Sequence, residues 1–224
     1  GDLVYIDFDK VILQVIQIKT GKVTARVLSG GVIGSNKAVA TDRAIQLPDF
    51  TEKDLAAFKI GQKFNINDYA LSFATSHEAV EKFRSFFPYK ISLVSKIENM
   101  AGIRTLNEIA KASDAVLIDR GDLSREIPIQ EIATAQKHII STAKKSKTSV
   151  YVATNLLETM IHAGQPTRAE VNDITSTLLD GADGLVLAAE TAVGKYPVES
   201  VRMVAGIIRE TEDYLHRRVQ AQRY

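Results

Sequence analysis

Residues 92–102 read SLVSKIENMAG, an apolar run that ends on a lysine and a glutamate two positions apart. Successive side chains of a β-strand point to opposite faces, so Lys96 and Glu98 lie on the same side of the strand. The apolar outside of such a strand is covered by helices, which leaves the open end of the sheet for this charged pair. The stretch therefore predicts a buried strand with functional charged side chains at its carboxyl end.

The same alternation of apolar runs and helical patterns continues through residues 49–224. Thr167 and Glu170 fit a helix-starting capping box, for example. Strands that alternate with helices indicate a parallel sheet, because parallel strands need a crossover. Five βα units fit either an open doubly wound sheet or part of a (β/α)8 barrel. The predicted strands are YALSFA (69–74), ISLVSKIE (91–98), AVLID (115–119), SVYVAT (149–154) and GLVLAAE (184–190).

Residues 1–48 follow a different pattern. They are rich in β-branched residues and indicate several short antiparallel strands, with a turn at Thr20-Gly21. The glycines of GGVIGS (30–35) raise the alternative of a phosphate-binding loop. Their spacing and the lack of a helical pattern after them favour a hairpin turn instead.

The composition excludes several classes of function. A net charge of +1 gives no basic stripe for nucleic acid. There is no cysteine, so disulfides and thiolate metal sites are excluded, and the sequence fits a reducing, cytoplasmic location. No apolar run approaches the roughly 20 residues of a membrane helix, and we predict no membrane partner.

Polar residues stand where successive predicted strands stop. In a barrel these strand ends converge on the face that carries the active site. Each residue alone has an ordinary interpretation, such as a solvated strand end or a loop carboxylate bonded to its own backbone. Their recurrence at consecutive strand ends favours a site, and with it a barrel. They are Ser72, Lys96 with Glu98, Asp122, Thr154 with Asn155, and Glu190 with Thr191.

The residue types at these ends indicate metal and anion chemistry. Glu98 and Asp122 offer the hard oxygen ligands that Mg²⁺ prefers. The four histidines lie in helical segments or flanking loops, which argues against zinc. Lys96 beside a metal would clamp an oxyanion or a transferring phosphoryl group. Gly121 allows close approach of the backbone, whose amides could hold a carboxylate.

Several long motifs resemble pyruvate kinase in order and spacing, over roughly residues 49–212. They are SKIEN followed by GI, then DRGDLSREIP, ATNLLETM, PTRAEVNDI and LDGADGLVLAAETAVGKYPVESV. GDLVYID and GGVIGSNKAV resemble the later part of that family's small β-barrel domain, inserted after the third barrel strand. The resemblance implies a partial (β/α)8 barrel, its last five βα units, in residues 49–224. It implies part of the inserted β-domain in residues 1–48.

The resemblance also implies a reaction, the glycolytic transfer of a phosphoryl group from phosphoenolpyruvate to ADP that gives pyruvate and ATP. Lys96 would steady the phosphoryl group and the enolate, and Glu98 and Asp122 would bind Mg²⁺ or Mn²⁺. The amides of Gly121 and Asp122, with Thr154, would hold the substrate carboxylate, and Thr154 would help to deliver a proton. K⁺ is implied too, with ligands on earlier strands that this sequence does not include.

Other positions support the site or depart from the family pattern. Ser72 matches a serine beside the monovalent-cation site, and we expect Asp119, Arg120 and Glu190 to surround the metal and substrate groups. Asp119 stands where the family has a small residue and adds a carboxylate near the metal pair. The further departures are Ser124, Arg125, Asn155-Leu156 and Ala188-Ala189.

We expect these 224 residues to be part of a longer protein, because the sequence begins inside a β-domain; completion of the barrel by another chain is the alternative. The isolated chain is expected to be inactive, and the full protein to be a homo-oligomer. Two other functions stay open at this point. One is a Mg²⁺-dependent pyruvate-enolate lyase or aldolase on the same barrel, and the other is a non-catalytic, truncated pyruvate kinase-like subunit.

Overall fold

A computed structural model describes residues 1–7, 11–35, 37, 39–43, 45 and 48–221. These residues form two compact units, Gly1–Glu52 and Lys53–Tyr224. Each unit has its own sheet.

The first unit is an antiparallel sheet in the order β3-β2-β1-β4. Its strands are β1 (Leu3–Ile6), β2 (Val11–Lys19), β3 (Lys22–Ser29) and β4 (Val39–Thr41). The predicted Thr20-Gly21 turn joins β2 to β3, and Gly21 has the positive φ of +71° that favours glycine. The hairpin predicted at GGVIGS is wrong. This segment follows β3 and leads to β4, which pairs with β1, so it connects strands that are not neighbours.

The second unit is an α/β layer built on a parallel sheet in the order β5-β6-β7-β8-β9. The strands are β5 (Asp68–Leu71), β6 (Ser92–Ile97), β7 (Ala115–Asp119), β8 (Ser149–Ala153) and β9 (Gly184–Val186). Each strand pairs with the next one along the chain, which confirms the predicted parallel sheet.

The helices follow the strands in chain order, and they account for the helical patterns in the sequence. None of those in the described residues is both long and apolar enough to cross a bilayer. They are α1 (Glu52–Lys63), α2 (His77–Ser85), α3 (Met100–Arg104), α4 (Leu106–Ala112), α5 (Arg120–Leu123), α6 (Ile132–Lys145), α7 (Arg168–Leu179), α8 (Ala189–Ala192) and α9 (Pro197–Ala221).

In the second unit, buried apolar residues come from both strands and helices, and those of the strands recur at the spacing expected for a pleated sheet. In β6, Leu93, Ser95 and Ile97 are fully buried, whereas Val94 and Lys96 are only partly buried. The helices supply Ile109, Ile139, Ile140 and Ile174 to the core, all with no exposed surface. The predicted capping box is confirmed at α7, where Thr167 Oγ1 accepts from the Glu170 amide and Glu170 Oε2 accepts from the Thr167 amide.

Two strands end three or four residues earlier than predicted, each at a bend near the carboxyl edge of the sheet. β5 stops at Leu71 instead of residue 74, because Phe73 turns the chain with a positive φ of +51°. β9 stops at Val186 instead of residue 190. There the buried Glu190 carboxylate accepts the amide of Ala188 at 2.8 Å and folds the chain back into α8.

At two places an aspartate stands directly before a strand and binds the neighbouring strand. Each of these aspartates accepts a backbone amide of that strand and forms an ion pair with a basic side chain. Asp114 Oδ2 accepts the Leu93 amide at 2.8 Å and pairs with Arg84 at 2.7 Å. Asp183 Oδ2 accepts the Val150 amide at 2.9 Å, and its Oδ1 pairs with Lys144 at 2.7 Å. These aspartates secure the register of β6 with β7 and of β8 with β9.

Asp183→Ala is expected to lower the free energy of unfolding by about 1–3 kcal/mol at pH 7, because the Val150 amide loses a charged acceptor. Burial raises the pKa of Asp183, but Lys144 and the Val150 amide outweigh it and hold the pKa below the ordinary 3.8. A lowered folded pKa means that this stabilisation is present above pH 3.8 and is lost as the pH falls through the lowered value. Urea unfolding at pH 7 and below pH 3.8 measures both effects.

The control for this experiment is Asp213→Ala, on an exposed position of α9. It should leave the free energy of unfolding within about 0.5 kcal/mol of wild type. If the difference in free energy of unfolding between Asp183→Ala and wild type stays constant in acid, the charge of Asp183 is not what stabilises the sheet.

Candidate active site

Three side chains meet at the carboxyl ends of β6 and β7. Lys96 Nζ lies 2.5 Å from Glu98 Oε1 and 3.3 Å from Asp119 Oδ2. Glu98 is 1% exposed, and its Oε2 accepts the Phe73 amide at 2.5 Å. The alternation of β6 thus puts Lys96 and Glu98 on one side, in contact with each other and with the end of the next strand.

Burial and charge act in opposite directions on this pair. Partial burial disfavours the Lys96 ammonium, but attraction to Glu98 and Asp119 outweighs it and raises the pKa of Lys96. Burial also raises the pKa of Glu98, and the Lys96 ammonium and the Phe73 amide oppose that shift only in part. Lys96 is therefore a firmly charged cation at neutral pH.

Glu98, Asp119 and Asp122 form a cluster of carboxylates. One oxygen from each lies within 4.8 Å of the others. A divalent ion bound by all three would draw these oxygens closer together, because ligands at adjacent positions around Mg²⁺ lie about 3 Å apart. The oxygen-only donor set is the one that hard divalent cations prefer. Arg125 Nη2 pairs with Asp122 Oδ1 at 2.8 Å on the outer side of the cluster.

Thr154 and Asn155 place a hydroxyl beside these carboxylates. Both residues adopt positive φ, at +66° and +54°, which is unusual for a β-branched threonine. Thr154 Oγ1 accepts the Gly121 amide at 2.9 Å, and its proton faces either the Ala153 carbonyl at 2.7 Å or Asp119 Oδ1 at 3.3 Å. A Cβ on Gly121 would lie 3.5 Å from that hydroxyl, so the glycine keeps the space beside it open.

Arg120 holds this strained backbone in place. Its Nη2 donates to the carbonyls of Thr154 and Asn155 at 2.7 and 2.9 Å, and its Nη1 pairs with Asp173 of α7 at 2.6 Å. The Arg120 side chain is 9% exposed, and its Nη1 also lies 3.4 Å from Gln136 Oε1. Arg120 therefore fixes the backbone of Thr154 and Asn155.

The remaining predicted residues, Ser72 and Glu190, are not part of this cluster. Ser72 is exposed at the carboxyl end of β5, next to Phe73. Glu190 is 2% exposed, and its two oxygens accept the amides of Leu157 and Ala188 at 3.0 and 2.8 Å. Both carboxylate oxygens of Glu190 therefore bind backbone amides and hold two loops in place.

Sequence reasoning missed three contributors to the site. They are the Phe73 amide that holds Glu98, the Asp173 partner of Arg120 and the Arg125 ion pair with Asp122. The Arg125-Asp122 spacing of three residues could have indicated a helical ion pair. The other two contacts join residues 25 and 53 positions apart.

Fold and site together define an α/β protein whose parallel strands carry a lysine and a carboxylate cluster at their carboxyl ends. Residues 1–201 match the family model described as "Pyruvate kinase, barrel domain". The chain belongs to the pyruvate kinase family, a family of phosphotransferases.

Curated relatives named pyruvate kinase align with nearly the whole chain. The Thermotoga maritima protein is 37% identical over 96% of this chain and 47% of its own length. The Aeropyrum pernix protein is 40% identical over 92% of this chain and 46% of its own length. The Thermoplasma acidophilum protein is 39% identical over 89% of this chain and 37% of its own length. The chain thus spans less than half the length of these relatives.

Proposed function

We propose that this chain belongs to an enzyme that transfers a phosphoryl group from phosphoenolpyruvate to ADP, giving pyruvate and ATP. One observation supports this most strongly: Lys96, Glu98, Asp122 and Thr154 lie together at the carboxyl ends of consecutive parallel strands. Parallel strands in unbroken chain order, with polar residues at their carboxyl ends, are typical of a (β/α)8 barrel. We infer that residues 49–224 are its last five βα units and that residues 1–48 are part of an inserted β-domain.

Glu98 and Asp122 would bind Mg²⁺ or Mn²⁺ in this reaction. The ion would supply charge stabilisation to the phosphoryl and enolate oxygens. Lys96 would contact the same oxygens as a fixed cation, since its pKa is raised and its side chain is partly buried. Its ammonium would then lie where negative charge develops during transfer.

The substrate carboxylate would lie against the turn that starts α5. The Gly121 amide now donates to the Thr154 hydroxyl oxygen at 2.9 Å and the Asp122 amide to Asp119 Oδ1 at 3.4 Å, and the substrate carboxylate would replace these acceptors. A hydroxyl held so close to the carboxylate-binding amides would also be near the enolate carbon. We infer that Thr154 helps to deliver the proton that converts the enolate to pyruvate, with Arg120 fixing its backbone.

The test is pyruvate formation by the full-length protein from phosphoenolpyruvate and ADP. Turnover is expected to require Mg²⁺ or Mn²⁺, to rise with K⁺ and to form ATP in equal amount. No ADP-dependent pyruvate at any metal or substrate level would refute the proposal, and proton exchange into pyruvate without ATP formation would indicate a lyase or aldolase. The described sheet has only five strands and is open at β5 and β9, so we expect little or no turnover by residues 1–224 alone.

Assembly and location stay predictions of the sequence. We expect the full-length enzyme to be a cytoplasmic homo-oligomer. Its mass in solution and its distribution on cell fractionation would test these two expectations.

A further inference from the structure

Asp119 is the third carboxylate at the proposed metal site, and it occupies the last position of β7. It is 8% exposed, and one of its oxygens lies within 4.8 Å of ligand atoms on Glu98 and Asp122. We propose that Asp119 is a third protein ligand of the divalent cation, and that the cluster therefore binds the ion before any substrate is present. This inference rests on the proposed function for the metal role of Glu98 and Asp122.

The other contacts of Asp119 are too weak to account for a buried carboxylate. Its Oδ1 accepts from the Asp122 amide at 3.4 Å and faces the Thr154 hydroxyl at 3.3 Å, and both distances exceed those of good hydrogen bonds. Its Oδ2 lies 3.3 Å from Lys96 Nζ, which is 2.5 Å from Glu98 and so favours that carboxylate. A carboxylate removed from water needs a stronger partner than these.

The neighbouring Glu98 oxygen points to the same partner. Glu98 Oε1 is buried, and among the described residues its close partner is the Lys96 ammonium at 2.5 Å, which uses one of the two acceptor positions of this oxygen. An oxygen in this position has acceptor capacity left toward the centre of the cluster. It is the second observation, besides the grouping of acids, that indicates a cation among them.

The charges of the cluster lead to the same conclusion. Ion pairs with Lys96 and Arg125 offset part of the negative charge of the three carboxylates. Mg²⁺ commonly binds through one or two carboxylates and takes its other ligands from water and substrate oxygens. Affinity rises with the number of charged ligands, so a third carboxylate makes the protein alone a stronger site. The ion would then be in place when the anionic substrate arrives.

The experiment measures Mn²⁺ binding to the full-length protein without substrate. Free Mn²⁺ is followed by electron paramagnetic resonance for wild type, Asp119→Ala, Asp119→Asn and Glu98→Gln. Both Asp119 variants are expected to raise the Kd for Mn²⁺ at least ~10-fold, as is typical of lost metal-site groups. Asp119→Asn keeps the shape of the side chain, so it still tests the proposal if Asp119→Ala does not fold. Asp68→Asn, on an exposed position at the opposite end of the sheet, should stay within twofold of wild type.

Each outcome separates this inference from the proposed function. Weaker Mn²⁺ binding in the Asp119 variants and in Glu98→Gln supports both. Less than a tenfold change in both Asp119 variants, with weak binding only in Glu98→Gln, overturns the role of Asp119 and keeps the metal site. Unchanged binding in all three variants overturns the metal site itself.

A stability measurement in EDTA excludes a purely structural role for Asp119. If Asp119 only capped α5 or paired with Lys96, its removal would lower the melting temperature without metal. A ligand role predicts an equal or higher melting temperature in EDTA, because like charges are relieved, and a smaller rise on adding Mn²⁺. A lower melting temperature of Asp119→Asn in EDTA with an unchanged rise on adding Mn²⁺ would overturn the proposal.

Discussion

Glu98→Gln is expected to lower metal-dependent pyruvate formation by the full-length enzyme about 10²–10³-fold, while the fold is kept. Glutamine has nearly the same shape and retains an oxygen that can accept the Phe73 amide, which glutamate binds at 2.5 Å. It removes the charge of a side chain that is 1% exposed and belongs to the carboxylate cluster. The substitution therefore removes one anionic ligand of the proposed metal site.

The stability of this variant should differ little from wild type. Burial already raises the pKa of Glu98, so keeping this carboxylate ionised is itself unfavourable. Removal of the charge therefore relieves one penalty while it weakens the ion pair with Lys96. Steady-state rates at several Mg²⁺ concentrations, with circular dichroism of the same samples, measure both properties.

The matched control is Glu81→Gln, on an exposed position of α2. It changes the same charge far from the strand ends and should leave the rate within twofold of wild type. A Glu98→Gln enzyme with near-normal turnover and an unchanged Mg²⁺ requirement would remove Glu98 from the metal site.

The parallel sheet could be predicted from the sequence because it depends on local periodicity. Apolar runs of strand length alternate with helical patterns, and only a crossover can join parallel strands. The period of two in β6 was enough to put Lys96 and Glu98 on one side. Both patterns depend on residues that are close together in the sequence, so they can be recognised without knowledge of the tertiary structure.

The features that could not be predicted depend on contacts between distant parts of the chain. The positive φ of Thr154 runs against the preference of a β-branched residue and is held by Arg120, 34 positions earlier. The ion pair of Arg120 with Asp173 joins a strand end to a helix 53 positions away. The segment GGVIGS has the composition of a hairpin turn, yet sheet pairing makes it a crossover between strands that are not neighbours.

Lys96→Met is expected to affect turnover and metal binding in opposite directions. Loss of a cation that contacts a transferring phosphoryl group lowers turnover about 10³-fold or more. Mn²⁺ binding in the absence of substrate should stay the same or become tighter. The reason is that Lys96 Nζ, at 2.5 Å from Glu98 and 3.3 Å from Asp119, competes with the ion for those oxygens.

The same variant should be less stable in EDTA, because a buried carboxylate that loses its partner destabilises a fold by about 3–5 kcal/mol. Added Mn²⁺ should restore more stability to it than to wild type, since the ion replaces the missing charge. Lys111→Met, on an exposed position of α4, is the control and should change none of these properties. Because Lys96 and the ion both attract anions, turnover alone cannot tell a phosphoryl clamp from a residue that shapes the metal site. Weaker Mn²⁺ binding by Lys96→Met would show that Lys96 organises the carboxylates for the ion, and the assignment of Lys96 to the phosphoryl group would be wrong.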